Sequence, residues 1–109
     1  CSVWGADLQL DGGVANKRLL RQFPAHCFYG MRCDADGNLY ITRYGKGTVV
    51  VLSPEGKVLR EINVLGARPS NLCFGGPDGR TVYVTEVEYR RLVQFRVETP
   101  GAAWTRWER

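Results

Sequence analysis

The chain has 109 residues, of which 44% are hydrophobic and 24% charged, and its formal net charge is +4. This length corresponds to one domain, and the composition is that of an ordinary globular β protein. No apolar run approaches the roughly 20 residues of a membrane-spanning helix, so no membrane association is expected. The basic residues are dispersed and no aromatic ladder interleaves with them, which argues against a nucleic-acid partner.

The first segment reads as two strands joined by a turn. Residues 1–8 are the predicted first strand, Asp11-Gly12-Gly13 is the turn, and residues 16–23 are a more polar strand. The charged and amide groups of this second strand are typical of an edge that resists pairing with other chains. Pro24 ends it, because proline has no amide hydrogen to donate to a ladder.

Two copies of one hairpin design follow. The turn is Asp36-Gly37 in residues 31–42 and Asp78-Gly79 in residues 72–85. Asp-Gly accommodates a positive φ at low cost, and the segments Leu-Tyr-Ile-Thr and Val-Tyr-Val-Thr after the turns have the β-branched and aromatic character of half-buried strands. In both copies a further apolar strand and a further turn come next.

The spacing of the copies predicts a propeller. Tyr40 and Tyr83 are 43 residues apart, and periods of about 40 to 50 residues are typical of four-stranded propeller blades. The predicted fold class is therefore all-β, with antiparallel four-stranded blades, about two and a half of them, in an incomplete ring. We divide the partial propeller, residues 1–109, into half a blade (1–23), a complete blade (24–65) and a nearly complete blade (66–109). Residues 104–107 are interpreted as either a last strand or a remnant of cloning.

An incomplete ring leaves sheet faces uncovered. Blades cover one another's faces, so two and a half blades leave an open face at each end, with apolar strands of the type of residues 49–52 in contact with water. We therefore expect either a homo-oligomer of this chain or further propeller blades from elsewhere.

The cysteines and the histidine do not predict a metal site. Cys1, Cys27, Cys33 and Cys73 contain no Cys-x-x-Cys pair, and His26 is the sole histidine. A zinc site would require closer ligand spacing or more histidines. Cys33 and Cys73 occupy matching strand positions and are interpreted as small buried hydrophobes. Four thiols without a disulfide framework favour a reducing compartment, and hence the cytoplasm.

Two segments resemble a known family. Residues 30–40, Gly-Met-Arg-Cys-Asp-Ala-Asp-Gly-Asn-Leu-Tyr, look like the penultimate-blade hairpin of the gluconolactonase and regucalcin-like (senescence-marker-protein-like) six-bladed propellers, to which diisopropyl fluorophosphatase is related. Residues 68–76, Arg-Pro-Ser-Asn-Leu-Cys-Phe-Gly-Gly, resemble the last-blade signature of that family. The resemblance runs from Val3 to about Trp104 and corresponds to the carboxyl-terminal third of a full member.

The resemblance implies a metal-dependent hydrolase of lactones and some phosphoesters. In full-length members it implies calcium or zinc, held by a glutamate, one or two asparagines and an aspartate, most of which would lie in upstream blades. The expected aspartate, which doubles as a proposed base or nucleophile, directly precedes Gly30-Met31, where this chain has Tyr29. A neutral phenol is a poorer metal ligand than a carboxylate at neutral pH. We therefore predict no catalytic residue and no cofactor for this chain alone.

Three residues are candidates for the channel or for contact with a substrate. The crossings between blades bring the chain to the propeller axis, where the ligand sites of propellers lie, and place Tyr29, Ser70 and Asn71 there. Alternatively, Tyr29 is only a packed aromatic residue, and Asn71 only caps the loop after Pro69. Asp34 and Asp36 are interpreted as turn-forming residues rather than metal ligands.

Two functions stay open. The first is a truncated propeller fragment, related to metal-dependent lactone and ester hydrolases, that is catalytically incompetent alone and self-associates as a binding or structural scaffold. The second is part of an active gluconolactonase-like hydrolase whose remaining ligands lie in missing upstream blades. The tyrosine at position 29 favours the first, and either function leaves room for a small-molecule ligand.

Overall fold

Strands dominate the fold. The computed structural model describes residues 1–107, and residues 108 and 109 of the third predicted blade lie outside the described part. The elements are β1 (Ser2–Leu8), β2 (Val14–Gln22), β3 (Phe28–Cys33), β4 (Leu39–Arg43), β5 (Thr48–Leu52), β6 (Val58–Asn63), β7 (Pro69–Gly75), β8 (Thr81–Glu86), β9 (Arg91–Arg96) and α1 (Ala102–Trp107). Three antiparallel sheets, β1-β2, β3-β4-β5-β6 and β7-β8-β9, follow one another along the chain. This arrangement confirms the all-β, incomplete-propeller prediction.

The predicted turn chemistry is present at the β3-β4 hairpin. Gly37 has φ of 83°, which is the conformation that Asp-Gly was expected to supply. The carboxylate of Asp34 is buried and accepts hydrogen bonds from the backbone N–H groups of Asp36 and Asn38, each at 2.9 Å. Asp34 therefore organises the turn, which confirms the turn-forming interpretation.

The middle sheet is covered on both faces. One face packs on the first sheet through Ile41, Val50 and Leu52, and the other face packs on the third sheet through Tyr40, Val49 and Val51. The ring of Tyr40 meets that of Phe74 edge to face, with the centroids 5.0 Å apart. Each fully buried aliphatic side chain of this kind contributes about 1.5–3 kcal/mol to folding. The strand at residues 49–52 is thus central and buried.

The uncovered faces belong to the first and third sheets. Trp4 on the first sheet is 52% exposed, and Leu92 on the third is 60% exposed. Because side chains alternate along a strand, the residues of β7 and β8 that do not enter the core share the open face with Leu92. They include Asn71, Cys73, Tyr83 and Thr85. The open face of the third sheet therefore carries both polar and apolar side chains.

The carboxyl-terminal segment is helical, so the expectation of a last strand at residues 104–107 is wrong. Gly101 forms a bridge to Asp34, and the Pro100 carbonyl accepts a hydrogen bond from Ala35 N–H at 2.8 Å. These contacts lead the chain to the middle sheet rather than along the free edge of β9. Over residues 1–107 the structure contains no helix that combines the length and the apolar character required to cross a membrane.

Two predictions about cysteine are also wrong. Cys1 and Cys27, whose Cα atoms are 5.2 Å apart, form a disulfide, so the expectation of four free thiols fails and the predicted reducing compartment loses its basis. Cys33 and Cys73 are exposed rather than buried. Cys73 lies on the uncovered face of the third sheet, and Cys33 lies at the end of β3, an edge strand.

Candidate functional site

The first strands of the second and third sheets lie side by side. We call their starting segments, residues 28–31 of β3 and 69–72 of β7, the inner edge. The pairing register shifts between Phe28 and Met31 in one strand and between Pro69 and Asn71 in the other. Such bulges bend a strand and redirect its side chains. The structure places all three predicted site residues at this edge: Tyr29, Ser70 and Asn71.

One buried hydroxyl joins the two strands of the inner edge. Thr42 Oγ1 accepts a hydrogen bond from Gly30 N–H at 2.8 Å and lies 3.3 Å from the carbonyl oxygen of Gly30. It also lies 3.4 Å from the carbonyl oxygen of Ser70, in the neighbouring sheet. A hydroxyl has one hydrogen and therefore donates to one of these two carbonyls at a time. Thr42 satisfies the bulge of β3 and holds it against β7.

The third sheet repeats this arrangement. Thr85 occupies the position in β8 that Thr42 has in β4, and its Oγ1 is 2.8 Å from the hydroxyl of Ser70. The same oxygen is 3.4 Å from the carbonyl oxygen of Asn71. Sequence reasoning missed both threonines, although the recurrence of Thr after Tyr-Ile and Tyr-Val was a signal that could have identified them.

Asn71 is packed by its neighbours but stays exposed. A Cβ atom on Gly30 would collide with the amide oxygen of Asn71, so the two inner strands approach each other at this glycine. The same oxygen accepts a hydrogen bond from Leu72 N–H at 2.9 Å. The structure therefore shows a local backbone role for Asn71, and the channel role stays a prediction. A groove of about 220 Å³ beside it is lined in part by Arg32 and Thr85.

Tyr29 forms an aromatic pair. Its side chain is 70% exposed, and its ring lies 5.4 Å, centroid to centroid, from that of Tyr44 with the planes inclined by 39°. Tyr44 belongs to the loop between β4 and β5, and the next residue, Gly45, donates its N–H to the carbonyl of Ala67 at 2.7 Å. The loop that carries Tyr44 is thus held against the crossing that leads to β7. Tyr29 packs against one neighbour but keeps most of its surface open.

Buried charges of opposite sign fix the two crossings. Arg43, the last residue of β4, donates through Nη2 to the carbonyl of Ala25 at 2.6 Å and through Nη1 to Glu61 at 3.2 Å. Glu86, at the same position of β8, accepts N–H groups from Arg68, Glu88 and Tyr89 at 3.1, 2.8 and 2.9 Å; these two charged residues were also missed from the sequence. Burial of the Glu86 carboxyl opposes ionisation, but these three donors outweigh it and hold its pKa below the ordinary value.

The donor set of this chain does not fit a divalent metal. In the part of the chain that the structure covers, residues 1–107, no three His, Cys, Asp or Glu side chains come together as a metal would require. Tyr29 supplies a phenol where a carboxylate would be needed, and the amide oxygen of Asn71 already accepts a backbone hydrogen bond. We derive no metal-dependent step from these residues.

The fold and the sequence are similar to those of known proteins. A 6-deoxy-6-sulfogluconolactonase of Pseudomonas putida is 32% identical over 96 residues, which cover 85% of this chain and 33% of that protein. Regucalcin of Sus scrofa is 35% identical over 82 residues, which cover 72% of this chain and 27% of that protein. A solved luciferin-regenerating enzyme matches with a TM-score of 0.80 at 17% identity, over 92% of this chain and 39% of that one, and this likeness concerns the fold alone.

The chain spans about a third of the length of the curated relatives that it matches. The family model described as the SMP-30/Gluconolactonase/LRE-like region matches residues 1–88, most of the sequence. This match confirms the resemblance stated from residues 30–40 and 68–76. The chain therefore belongs to the SMP-30/gluconolactonase/LRE-like family.

Proposed function

We propose that these residues form part of the channel wall of a metal-dependent lactone or ester hydrolase, and that they do not catalyse the reaction alone. The observation that carries the proposal is the inner edge, where β3 and β7 lie side by side with bulged starts, in a chain that belongs to this family. The relatives named above include a sulfogluconolactonase, which supports a lactone as the substrate class. Tyr29, Ser70 and Asn71 are the residues that we expect to face the substrate.

The donor set of the described residues supports the proposal that the isolated chain is catalytically incompetent. Hydrolysis assisted by a hard cation needs several oxygen ligands and an activated water, and the described residues do not assemble such a cage. Any metal, calcium or zinc as the resemblance implies, would need ligands that these residues do not supply. The proposal therefore assigns binding and positioning, rather than chemistry, to this part of the wall.

Lactone turnover tests the proposal directly. Hydrolysis of glucono-δ-lactone would be followed by acid release, with calcium, zinc or manganese added in turn, for the 109-residue chain and for the protein as its gene encodes it. We expect metal-dependent turnover from any product that includes the remaining blades, and none from the 109-residue chain. Turnover by the isolated chain that disappears in Asn71→Ala would contradict incompetence. Inactivity of the complete product with every metal and lactone would contradict the hydrolase assignment.

A second candidate function is a self-associating scaffold, and the uncovered sheet faces favour it. Trp4 and Leu92 expose apolar surface on the first and third sheets, which in a propeller would be covered by neighbouring blades. Copies of this chain, or further blades, are the partners that we propose for these faces. Measurement of the association state by sedimentation velocity separates this candidate from a stable monomer.

A further inference from the structure

We propose that Tyr29 and Tyr44 form an aromatic platform that binds the face of an uncharged polyhydroxylated ring. The identification of this ring as that of a sugar lactone rests on the proposed function, but the binding of such rings does not. The platform stands where the resemblance implied a carboxylate, so this chain would present an apolar surface there instead of a metal ligand.

The pair is both accessible and held in place. Tyr29 is 70% exposed and Tyr44 is 36% exposed, although the two rings are in contact. Tyr29 is anchored by the bulge that Thr42 secures through its 2.8 Å hydrogen bond with Gly30. Tyr44 is anchored through Gly45, which donates to the Ala67 carbonyl. The backbone beside each ring is thus held by a hydrogen bond, so less conformational freedom is lost on binding, which favours a ligand site.

Polar groups suited to ring hydroxyls lie along the inner edge, to which Tyr29 belongs. The hydroxyls of Ser70 and Thr85 are 2.8 Å apart, and Thr42 links the residue after Tyr29 to the carbonyl of Ser70. The side chains of Asn71 and Thr85 are exposed and can donate and accept hydrogen bonds. An apolar ring surface flanked by a few convergent polar groups is the usual composition of a small-molecule site.

The charged side chains next to Tyr44 in the chain give no reason to expect a cationic ligand. The face of an aromatic ring is negative, so it attracts either a cation or the weakly positive C–H groups on one side of a sugar ring. The charged residues near Tyr44 in the chain are the cations Arg43 and Lys46, and both pair with Glu61, at 3.2 and 2.6 Å. Glu61 is thus already paired with two cations and is not free to hold a positively charged ligand, whereas an uncharged polyol needs no such partner.

The test is the binding of methyl β-D-glucopyranoside, an inert ring of the proposed class, to the protein as its gene encodes it. Ligand-observed NMR titrations in the presence of EDTA would give the Kd for the wild type, Tyr29→Ala, Tyr44→Ala and Tyr29→Phe. We expect each alanine variant to raise the Kd about tenfold, and the phenylalanine variant, which keeps the ring, to stay within about twofold. Tyr89→Ala removes another exposed tyrosine from the equivalent loop between β8 and β9, and it should leave the Kd unchanged.

Three results would overturn the inference: no binding of the glucoside to the wild type, alanine variants with an unchanged Kd, or displacement of the glucoside by tetramethylammonium. The inference and the proposed function can fail separately. If binding depends on both tyrosines but the protein hydrolyses no lactone, the aromatic platform is supported and the hydrolase assignment is wrong. If the protein hydrolyses lactones but the alanine variants leave the Kd unchanged, the hydrolase assignment is supported and the aromatic platform is wrong.

Discussion

Thr42 shows how one side chain can organise a site without facing a ligand. Its hydroxyl is fully buried and lies within hydrogen-bonding distance of backbone atoms in two different sheets. A buried backbone group without a partner costs about 1–3 kcal/mol, so the bulge of β3 needs a partner of this kind. The residue that positions Tyr29 is thus a buried side chain on the neighbouring strand, β4.

Gly30→Ala should destabilise the inner edge. The added Cβ would collide with the amide oxygen of Asn71 and lie 3.0 Å from its Cα, so β3 and β7 would have to move apart. We expect the free energy of unfolding to fall by about 1–3 kcal/mol in urea titrations, the range for overpacking. In the control Gly5→Ala the nearest atom would be 3.4 Å away, which is an ordinary contact, and stability should not fall. If Gly30→Ala and Gly5→Ala change the free energy of unfolding equally, the close approach of β3 and β7 at Gly30 is not the cause of the destabilisation.

Glu86→Gln should weaken folding mainly at neutral pH. The carboxylate accepts three backbone N–H groups, and the amide replaces one acceptor oxygen by a donor, so we expect a loss of about 1–3 kcal/mol at pH 7. Because the folded-state pKa of Glu86 is lower than the unfolded one, its contribution is present above the unfolded pKa and is lost as the pH falls through the folded pKa. The difference between wild type and variant should therefore shrink below about pH 4.5.

Urea unfolding across this pH range measures the difference. Glu88→Gln is the matched control, because Glu88 is an exposed carboxylate that accepts one backbone N–H, that of Ala67 at 3.1 Å. Its effect should stay within about 0.5 kcal/mol, as for other surface substitutions. If the difference in the free energy of unfolding between wild type and Glu86→Gln stays constant as the pH is lowered, the charge of Glu86 does not contribute to stability.

The three sheets are held together differently. The middle sheet packs its central strands on both neighbours, whereas the first sheet has only two strands and contributes Val3 to the shared core. The Cys1–Cys27 disulfide ties the start of β1 to the crossing that enters β3. Because the first sheet is small and has one covered face, the disulfide should stabilise it more than it would stabilise the middle sheet.

Cys27→Ser should lower the stability of the chain. The disulfide joins residues 26 positions apart, and the chain-entropy estimate for a loop of this length is about 3.5 kcal/mol. Thermal unfolding with and without dithiothreitol tests this: the reductant should lower the Tm of the wild type to that of Cys27→Ser and leave the variant unaffected. Cys33→Ser, which removes an exposed free thiol, serves as the control. If dithiothreitol leaves the Tm of the wild type unchanged, the disulfide does not stabilise the chain.

Considered as a whole, the described chain is an arc of a ring with an uncovered sheet at each end. We expect the 109-residue chain to self-associate at micromolar concentration, because uncovered sheet faces and unpaired edges favour contact with other copies. Sedimentation velocity should show species larger than a monomer, and Leu92→Arg should shift them toward the monomer. Leu8→Arg changes a leucine that is 80% exposed in β1, next to the hairpin turn, and should have little effect. A compact, folded monomer of the wild type would refute the expectation.

Much of the fold could be predicted because its signals are local. The Asp-Gly turns, the alternation of β-branched and aromatic residues, and the 43-residue separation of Tyr40 and Tyr83 each depend on neighbouring positions or on a simple count. They led to antiparallel blades in an incomplete ring, and the motifs at residues 30–40 and 68–76 led to the family. The candidates Tyr29, Ser70 and Asn71 were placed at one edge by the same repeat.

What the sequence alone determined is therefore the repeat, its turns and its family, because these are properties of short segments. Only the tertiary structure decided which sheet faces are covered, that Cys1 meets Cys27, that residues 102–107 turn into a helix, and that Thr42 joins two sheets. Each of these depends on atoms that are distant in sequence and are brought together by packing. A pattern of residue types carries no information on those distances until the sheets have formed.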